Sequence, residues 1–91
     1  MKTYRIGESI KIYFECKKDG SLYSPATSTT VTVYNPAGTE DLAATNMTES
    51  ATGKFNYYYQ SAGKSAGVWK VKVIATDGTN ITHTWVNFKL I

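Results

Sequence analysis

Short segments in which apolar and polar residues alternate, separated by turn-forming dipeptides, dominate this sequence. The clearest segment is Ile10–Cys16, where apolar residues occupy every second position and Lys, Tyr and Glu lie between them. Because a strand points successive side chains to opposite faces, this period of two predicts a β-strand with one buried face. Turn signals recur about every ten residues, a spacing typical of β-sandwiches and barrels. They include Asp19-Gly20, Asn35-Pro36-Ala37-Gly38, Thr52-Gly53 and Asp77-Gly78.

The same alternation predicts further strands along the whole chain. The strong candidates are Thr29–Tyr34, Lys54–Gln60 and Val68–Ala75. Residues 2–6 are a candidate for a short first strand, Leu42–Met47 is a weaker candidate for a short edge strand, and Ile81–Ile91 is ambiguous in its register. An alternative for the Leu42–Met47 region is a single helical turn over Asp41–Met47. Helix signals are otherwise nearly absent. The sequence therefore predicts an all-β fold, a sandwich of about seven antiparallel strands in two sheets formed by one domain over residues 1–91.

The final segment, Ile81–Ile91, is compatible with two registers. In the first, Val86, Phe88 and Leu90 face inward, which buries three apolar side chains. In the second, Trp85 is buried and Phe88 is exposed, and a β-bulge would reconcile the two. We expect the first register.

The inward positions of these segments define a predicted core. Its members are Ile10, Ile12, Phe14, Val31, Val33, Phe55, Tyr57, Tyr59, Trp69, Val71, Val73, Val86 and Phe88. Cys16 is in phase with them and is predicted to be a small core residue. As the only cysteine, it cannot form a disulfide within the chain.

Charge and hydropathy exclude some classes of partner. Ten Lys and Arg against seven Asp and Glu give a net charge of +3, but the lysines are scattered rather than clustered, which argues against nucleic-acid binding. No apolar run is long enough for a transmembrane helix, so we expect no membrane insertion. No signal peptide is recognisable, so the chain is expected in the cytoplasm or in a virion, or outside the cell if it is part of a longer secreted protein.

The sequence contains no pattern that predicts catalysis, a cofactor or a metal. His83, the only histidine, lies in a strand between two threonines and is expected to face solvent, and no Gly-x-Ser-x-Gly elbow accompanies it. Asp41 is interpreted as a turn residue. A calcium site that uses Glu40 and Asp41 is a minor alternative. We expect the chain not to be an enzyme.

Exposed aromatic residues are the remaining candidates for function. Tyr13, Tyr58 and Trp85 are each out of phase with the apolar face of their strand, as is Tyr34. Tyr and Trp are enriched at protein interfaces, but they also pair across strands on exposed sheets without any partner. We predict that Tyr13, Tyr58 and Trp85 form a contact surface if they lie on exposed faces and at least two of them are neighbours in the fold.

Three parts of the chain together resemble a family pattern. They are Ile6–Ile10, then Val31–Thr39 with its Pro-x-Gly turn, and then Gly53–Tyr59 followed by Ala66–Val73 and Asp77-Gly78. Their order resembles immunoglobulin-like sandwich domains of the macroglobulin-like type, which occur in prokaryotic surface proteins and phage structural proteins. The resemblance implies a spacer, adhesion module or assembly subunit. We therefore expect a non-catalytic structural or binding module, such as a phage or provirus virion component, that binds a protein partner or itself. The alternative is a glycan-binding or adhesion module of a cell-surface protein.

Overall fold

The computed structural model describes residues 2–24 and 27–91, and its regular structure is entirely β. Over those residues the strands are β1 (Lys2–Tyr4), β2 (Ser9–Glu15), β3 (Lys17–Lys18), β4 (Ser21–Leu22), β5 (Ser28–Tyr34), β6 (Glu40–Asn46), β7 (Thr48–Ala51), β8 (Lys54–Gln60), β9 (Gly67–Asp77) and β10 (Asn80–Leu90). The all-β prediction is confirmed. The weak segment Leu42–Met47 lies largely in strand β6, so the helical alternative is wrong.

The strands form two principal sheets. The first has five strands in the order β1-β10-β9-β5-β6, and the second has three in the order β2-β8-β7. Two very short strands, β3 and β4, pair as a separate hairpin. Within the described ranges the strands therefore exceed the predicted seven. One pair also departs from the predicted antiparallel arrangement, because β1 runs parallel to the end of β10.

Aromatic rings join the inner faces of the two principal sheets. Trp69 on β9 stacks on Phe88 of β10, with ring centroids 6.1 Å apart and planes inclined by 7°. Tyr59 from β8 in the other sheet lies 6.0 Å from the Trp69 ring and 6.2 Å from the Phe88 ring. The Trp69 indole Nε1 donates a hydrogen bond to the Ser65 carbonyl at 3.0 Å, which satisfies its polar atom. These contacts place one continuous core between the sheets.

Ten of the thirteen predicted core residues are buried, namely Ile10, Ile12, Val31, Val33, Phe55, Tyr59, Trp69, Val71, Val73 and Phe88. Cys16 is also buried, as predicted. Phe14 and Tyr57 are only half-buried and pack against the margin of the core. Val86 is wrong as a core residue, because 40% of its surface is exposed.

The register of β10 explains the exposure of Val86. Val86 lies opposite the fully buried Val71 on β9, so it does face inward, as does Phe88 opposite Trp69. Near Val86, however, the three-stranded sheet ends at its edge strand β2, and the side chain borders an open groove. The predicted register is correct, but a side chain on an inner face is buried only where the opposite sheet covers it.

Gly53 holds the hairpin of β3 and β4 against the three-stranded sheet. Its carbonyl accepts a 2.7 Å hydrogen bond from the Cys16 amide. A Cβ at Gly53 would lie 2.8 Å from the Cys16 carbonyl oxygen and 2.9 Å from the Tyr23 nitrogen, and its φ of +74° favours glycine. This turn therefore requires glycine, and it fixes the end of the strand that carries Tyr13.

Among the residues that the structure describes, no helix is long and apolar enough to cross a bilayer.

Candidate binding surface

The outer face of the five-stranded sheet carries a cluster of two aromatic rings and a cation. Tyr34 on β5 and Trp85 on β10 lean toward each other across the intervening strand β9, and their ring centroids are 5.8 Å apart. The Lys72 Nζ, on β9, lies 5.8 Å from the Tyr34 centroid and 5.6 Å from the Trp85 centroid. Both distances fall within the range of cation–π attraction. We call Tyr34, Lys72 and Trp85 the aromatic–lysine cluster.

Strand register brings this cluster together. Lys72 lies opposite Trp85 on one side and opposite Thr32 on the other. Tyr34 is two residues further along β5, opposite Lys70. All of these residues point away from the core because the odd-numbered positions of β9 point into it. Thr32 is only 4% exposed although it lies on this outer face, so the side chains around it are closely packed.

The outer face has a positive electrostatic character. Its outward positions on β9 and β10 include three lysines, Lys70, Lys72 and Lys89, and no Asp or Glu. The nearest acidic position in the register is Glu40 on the edge strand β6, opposite Tyr34. Trp85 is 54% exposed, so a large apolar ring is open to solvent beside several cations. This combination suits a ligand that presents both an apolar surface and negative charge.

The other two predicted contact residues lie on the opposite side of the molecule. Tyr13 and Tyr58 occupy the outer face of the three-stranded sheet, where β2 and β8 pair, and both are exposed. Tyr13 is opposite Asn56 and Tyr58 is opposite Lys11, so the two tyrosines are diagonal neighbours. The Tyr13 hydroxyl donates to Glu15 at 3.0 Å. Desolvation, together with that bond, raises the pKa of Tyr13 above the ordinary tyrosine value.

The predicted surface is therefore divided between two faces: Tyr13 and Tyr58 are neighbours on one sheet, and Trp85 lies on the other. Alternation along each strand predicted correctly that all three side chains point outward, but it carries no information about which sheet a strand joins. The structure instead pairs Trp85 with Tyr34, which the same alternation had placed on the outside. The signal that was missed is the lysine between them, because the position of Lys72 depends on the three-strand register.

A polar contact connects β6 of the five-stranded sheet to β8 of the three-stranded sheet. The Tyr59 hydroxyl, on β8, donates a hydrogen bond to the Asp41 carboxylate on β6, and Lys64 pairs with the same carboxylate at 3.0 Å. These partners lower the pKa of Asp41, chiefly through the Tyr59 bond. Burial and the neighbouring carboxylate raise the pKa of Tyr59. Asp41 thus lies in a strand rather than in the predicted turn.

The residues considered for a metal site or for catalysis are each accounted for by other contacts or by exposure. The Asp41 carboxylate considered for calcium is already bonded to Tyr59 and Lys64. Across residues 2–24 and 27–91 no three His, Cys, Asp or Glu side chains form a group that could hold a metal ion. His83 is exposed on β10, as predicted.

A groove opens between the two sheets on the side of β10. Its volume is 490 Å³, and it lies between the edge strand β2 and the strands β1 and β10. Its apolar lining includes Ile12, Val71 and Val86, while Lys2 and Lys11 are its charged residues. The groove therefore has an apolar floor and basic margins.

Comparisons with known proteins identify no relative. No protein-family model matches the chain, and neither a curated protein nor a solved structure matches it.

Proposed function

We propose that this chain is a non-catalytic binding and assembly module with an immunoglobulin-like framework. The strand order supports this framework. In the immunoglobulin arrangement the sheet of strands G, F, C and C′ faces a sheet of B, E and D. The order β10-β9-β5-β6 opposite β2-β8-β7 corresponds to those two sheets, strand for strand.

Two departures distinguish the chain from antibody domains. With Cys16 as the only cysteine, it cannot form a disulfide between its sheets. Its buried tryptophan, Trp69, lies on β9, the counterpart of strand F, whereas antibody domains carry theirs on strand C. In this chain the stack of Trp69, Phe88 and Tyr59 packs between the sheets instead.

The aromatic–lysine cluster is the observation that supports a binding role. We assign the outer face of the five-stranded sheet to a protein partner that presents an apolar residue to Trp85 and carboxylates to Lys70 and Lys72. Exposed aromatic residues are the commonest energetic anchors of interfaces. Complementary charge increases the association rate and selects the partner.

The assembly role draws on the resemblance of the turn and strand segments to phage and prokaryotic surface domains. A virion component of a phage or provirus is the form of this proposal that we favour. The exposed Trp85 ring also supports the alternative, a glycan-binding or adhesion module, because an indole offers a flat apolar face to a sugar ring.

The test compares two double variants on two kinds of array. Tyr34→Ser with Trp85→Ser removes both rings of the cluster, and Tyr13→Ser with Tyr58→Ser removes two exposed rings from the opposite face. Each protein is incubated with an array of synthetic acidic peptides and with an array of glycans. We expect wild-type protein to bind acidic peptides, the first variant to lose at least tenfold in affinity, and the second to bind as wild type.

Other outcomes have definite meanings. Binding to glycans alone, lost in the first variant, would establish the alternative instead. Loss of peptide binding in the Tyr13 and Tyr58 variant would move the site to the three-stranded sheet. Wild-type protein that binds neither array would contradict a binding role for this face. Circular dichroism of both variants verifies that the fold survives.

A further inference from the structure

Strand β10 leaves most of one edge without a neighbouring strand. On one side it pairs with β9 along its whole length, from Asn80 to Leu90. On the other side, among the described residues, β1 covers only Phe88, Lys89 and Leu90. Residues 80–87 therefore form an open edge of about 27 Å, at about 3.4 Å per residue.

This edge lacks the features that normally prevent association between sheets. Natural edges are protected by charged residues, proline, bulges or a very short strand. The edge strand β2 carries Lys11 and Glu15, β6 carries Glu40 and two register irregularities, and β7 has four residues. The segment 80–87 contains no Lys, Arg, Asp, Glu, Pro or Gly. Among the main sheet edges that residues 2–24 and 27–91 form, it is the one without such protection.

Exposed apolar side chains are concentrated along the same segment. Ile81 is 60% exposed, Trp85 54% and Val86 40%. Ile81 and Trp85 lie on the outer face of the sheet, and Val86 lies on the inner face beside the groove. A strand added at this edge would shield side chains on both faces at once and would bond the free backbone groups, as in β-strand addition.

We propose that the occupant of this edge is β10 of a second copy of the chain, paired antiparallel about a two-fold axis. Antiparallel pairing sets outward residues opposite outward residues. In the register centred on His83, Trp85 of each copy lies opposite Ile81 of the other. Because the segment contains no Lys, Arg, Asp or Glu, this pairing sets no such like charges against each other.

Charge complementarity at the two ends of the open edge also favours a second copy. In that register the turn after β9 of one copy lies level with Phe88 of the other copy. Lys2, the first residue of β1, pairs with Phe88 in that other copy. Asp77, the last residue of β9, then lies within side-chain reach of Lys2 of the other copy. The two-fold axis repeats this pair at the opposite end. The pairing involves Trp85 of the proposed binding face but neither Tyr34 nor Lys72, so the dimer can form without a ligand on that face.

Sedimentation velocity over a broad concentration series tests this proposal. We expect wild-type protein to convert reversibly from monomer to dimer as concentration rises. Val86→Lys and Thr82→Lys each place a charge on the inner face of the exposed edge, the device that natural edge strands use. Both variants should weaken the dimer at least tenfold. The control, Ala43→Lys, adds the same charge to β6 at the opposite edge of the same sheet and should dimerise as wild type.

Three results would overturn the proposal. The first is a wild-type monomer throughout the series. The second is a dimer that persists in both edge variants while their circular dichroism remains native, which would locate the interface elsewhere. The third is growth beyond the dimer to long oligomers, because a two-fold pairing closes on itself and cannot polymerise. Because two different edge positions are substituted, misfolding of one variant would still leave the other to decide.

Discussion

At the scale of single residues, the two tryptophans of this chain have opposite roles. Trp69 is 1% exposed and contacts aromatic rings from both sheets, whereas Trp85 is 54% exposed on an outer face. Both occur in strands with the same alternating composition. They differ because Trp69 is in phase with inward valines, Val71 and Val73, and Trp85 is out of phase with Val86 and Phe88.

This difference predicts unequal effects on stability. Trp69→Ala should lower the free energy of unfolding by about 3–5 kcal/mol, because it leaves a cavity between the sheets. Trp85→Ala should lower it by less than about 1 kcal/mol, as an exposed substitution usually does. Urea denaturation of both variants measures the two values. Similar losses in both variants would refute the assignment of Trp69 to the core and Trp85 to the surface.

Local sequence was sufficient to predict the direction of most side chains. The alternation of Ile10, Ile12 and Cys16 with polar residues made one face of their strand identifiable without any tertiary information. It could not predict that Val86 would remain exposed, because that depends on where the opposite sheet ends. Nor could it separate Tyr58 from Trp85, because sheet membership is set by long-range pairing.

At the scale of elements, the contact of Asp41 with Tyr59 and Lys64 links β6 of one sheet to β8 of the other. A lowered carboxyl pKa means that the folded state favours the ionised form. The resulting stabilisation is present above the pKa of the unfolded carboxyl group, about 3.9, and is lost as the pH falls through the lower folded pKa.

Asp41→Asn should therefore destabilise the protein in a pH-dependent way. We expect a loss of about 1.5 kcal/mol near neutral pH, the lower end of the range for a hydrogen bond to a charged group, because the contact is partly exposed. The loss should shrink as the pH falls below about 4, because the carboxyl group of the unfolded chain then binds a proton, and it should disappear below the lowered pKa of the folded state. Urea denaturation of the wild type and the variant, at neutral pH and at a pH below about 4, measures the two losses of stability. Glu40→Gln, at the exposed neighbouring residue, is the control. A loss for Asp41→Asn that is the same at both pH values would rule out an ionic role.

At the scale of the whole molecule, strand β10 is paired along one side, and on its other side it is partly covered and partly open. The short parallel strand β1 covers the end of β10, and the remainder borders the groove. The binding face and the open edge meet at Trp85, but they use different neighbours, Tyr34 for the face and Val86 for the edge. Substitutions at those neighbours can therefore separate binding from self-association.

Amide hydrogen exchange in dilute, monomeric protein tests this architecture most directly, because it reports the hydrogen bonding of each backbone amide. In an antiparallel edge strand, alternate amides bond to the neighbour and the others face outward. We predict slow exchange along residues 70–74 of β9, which has strands on both sides, and alternating slow and fast exchange along residues 80–87 of β10. Uniformly slow exchange over 80–87 would show that the edge is covered, and uniformly fast exchange would show that β10 is not part of the sheet. Either result would contradict the account.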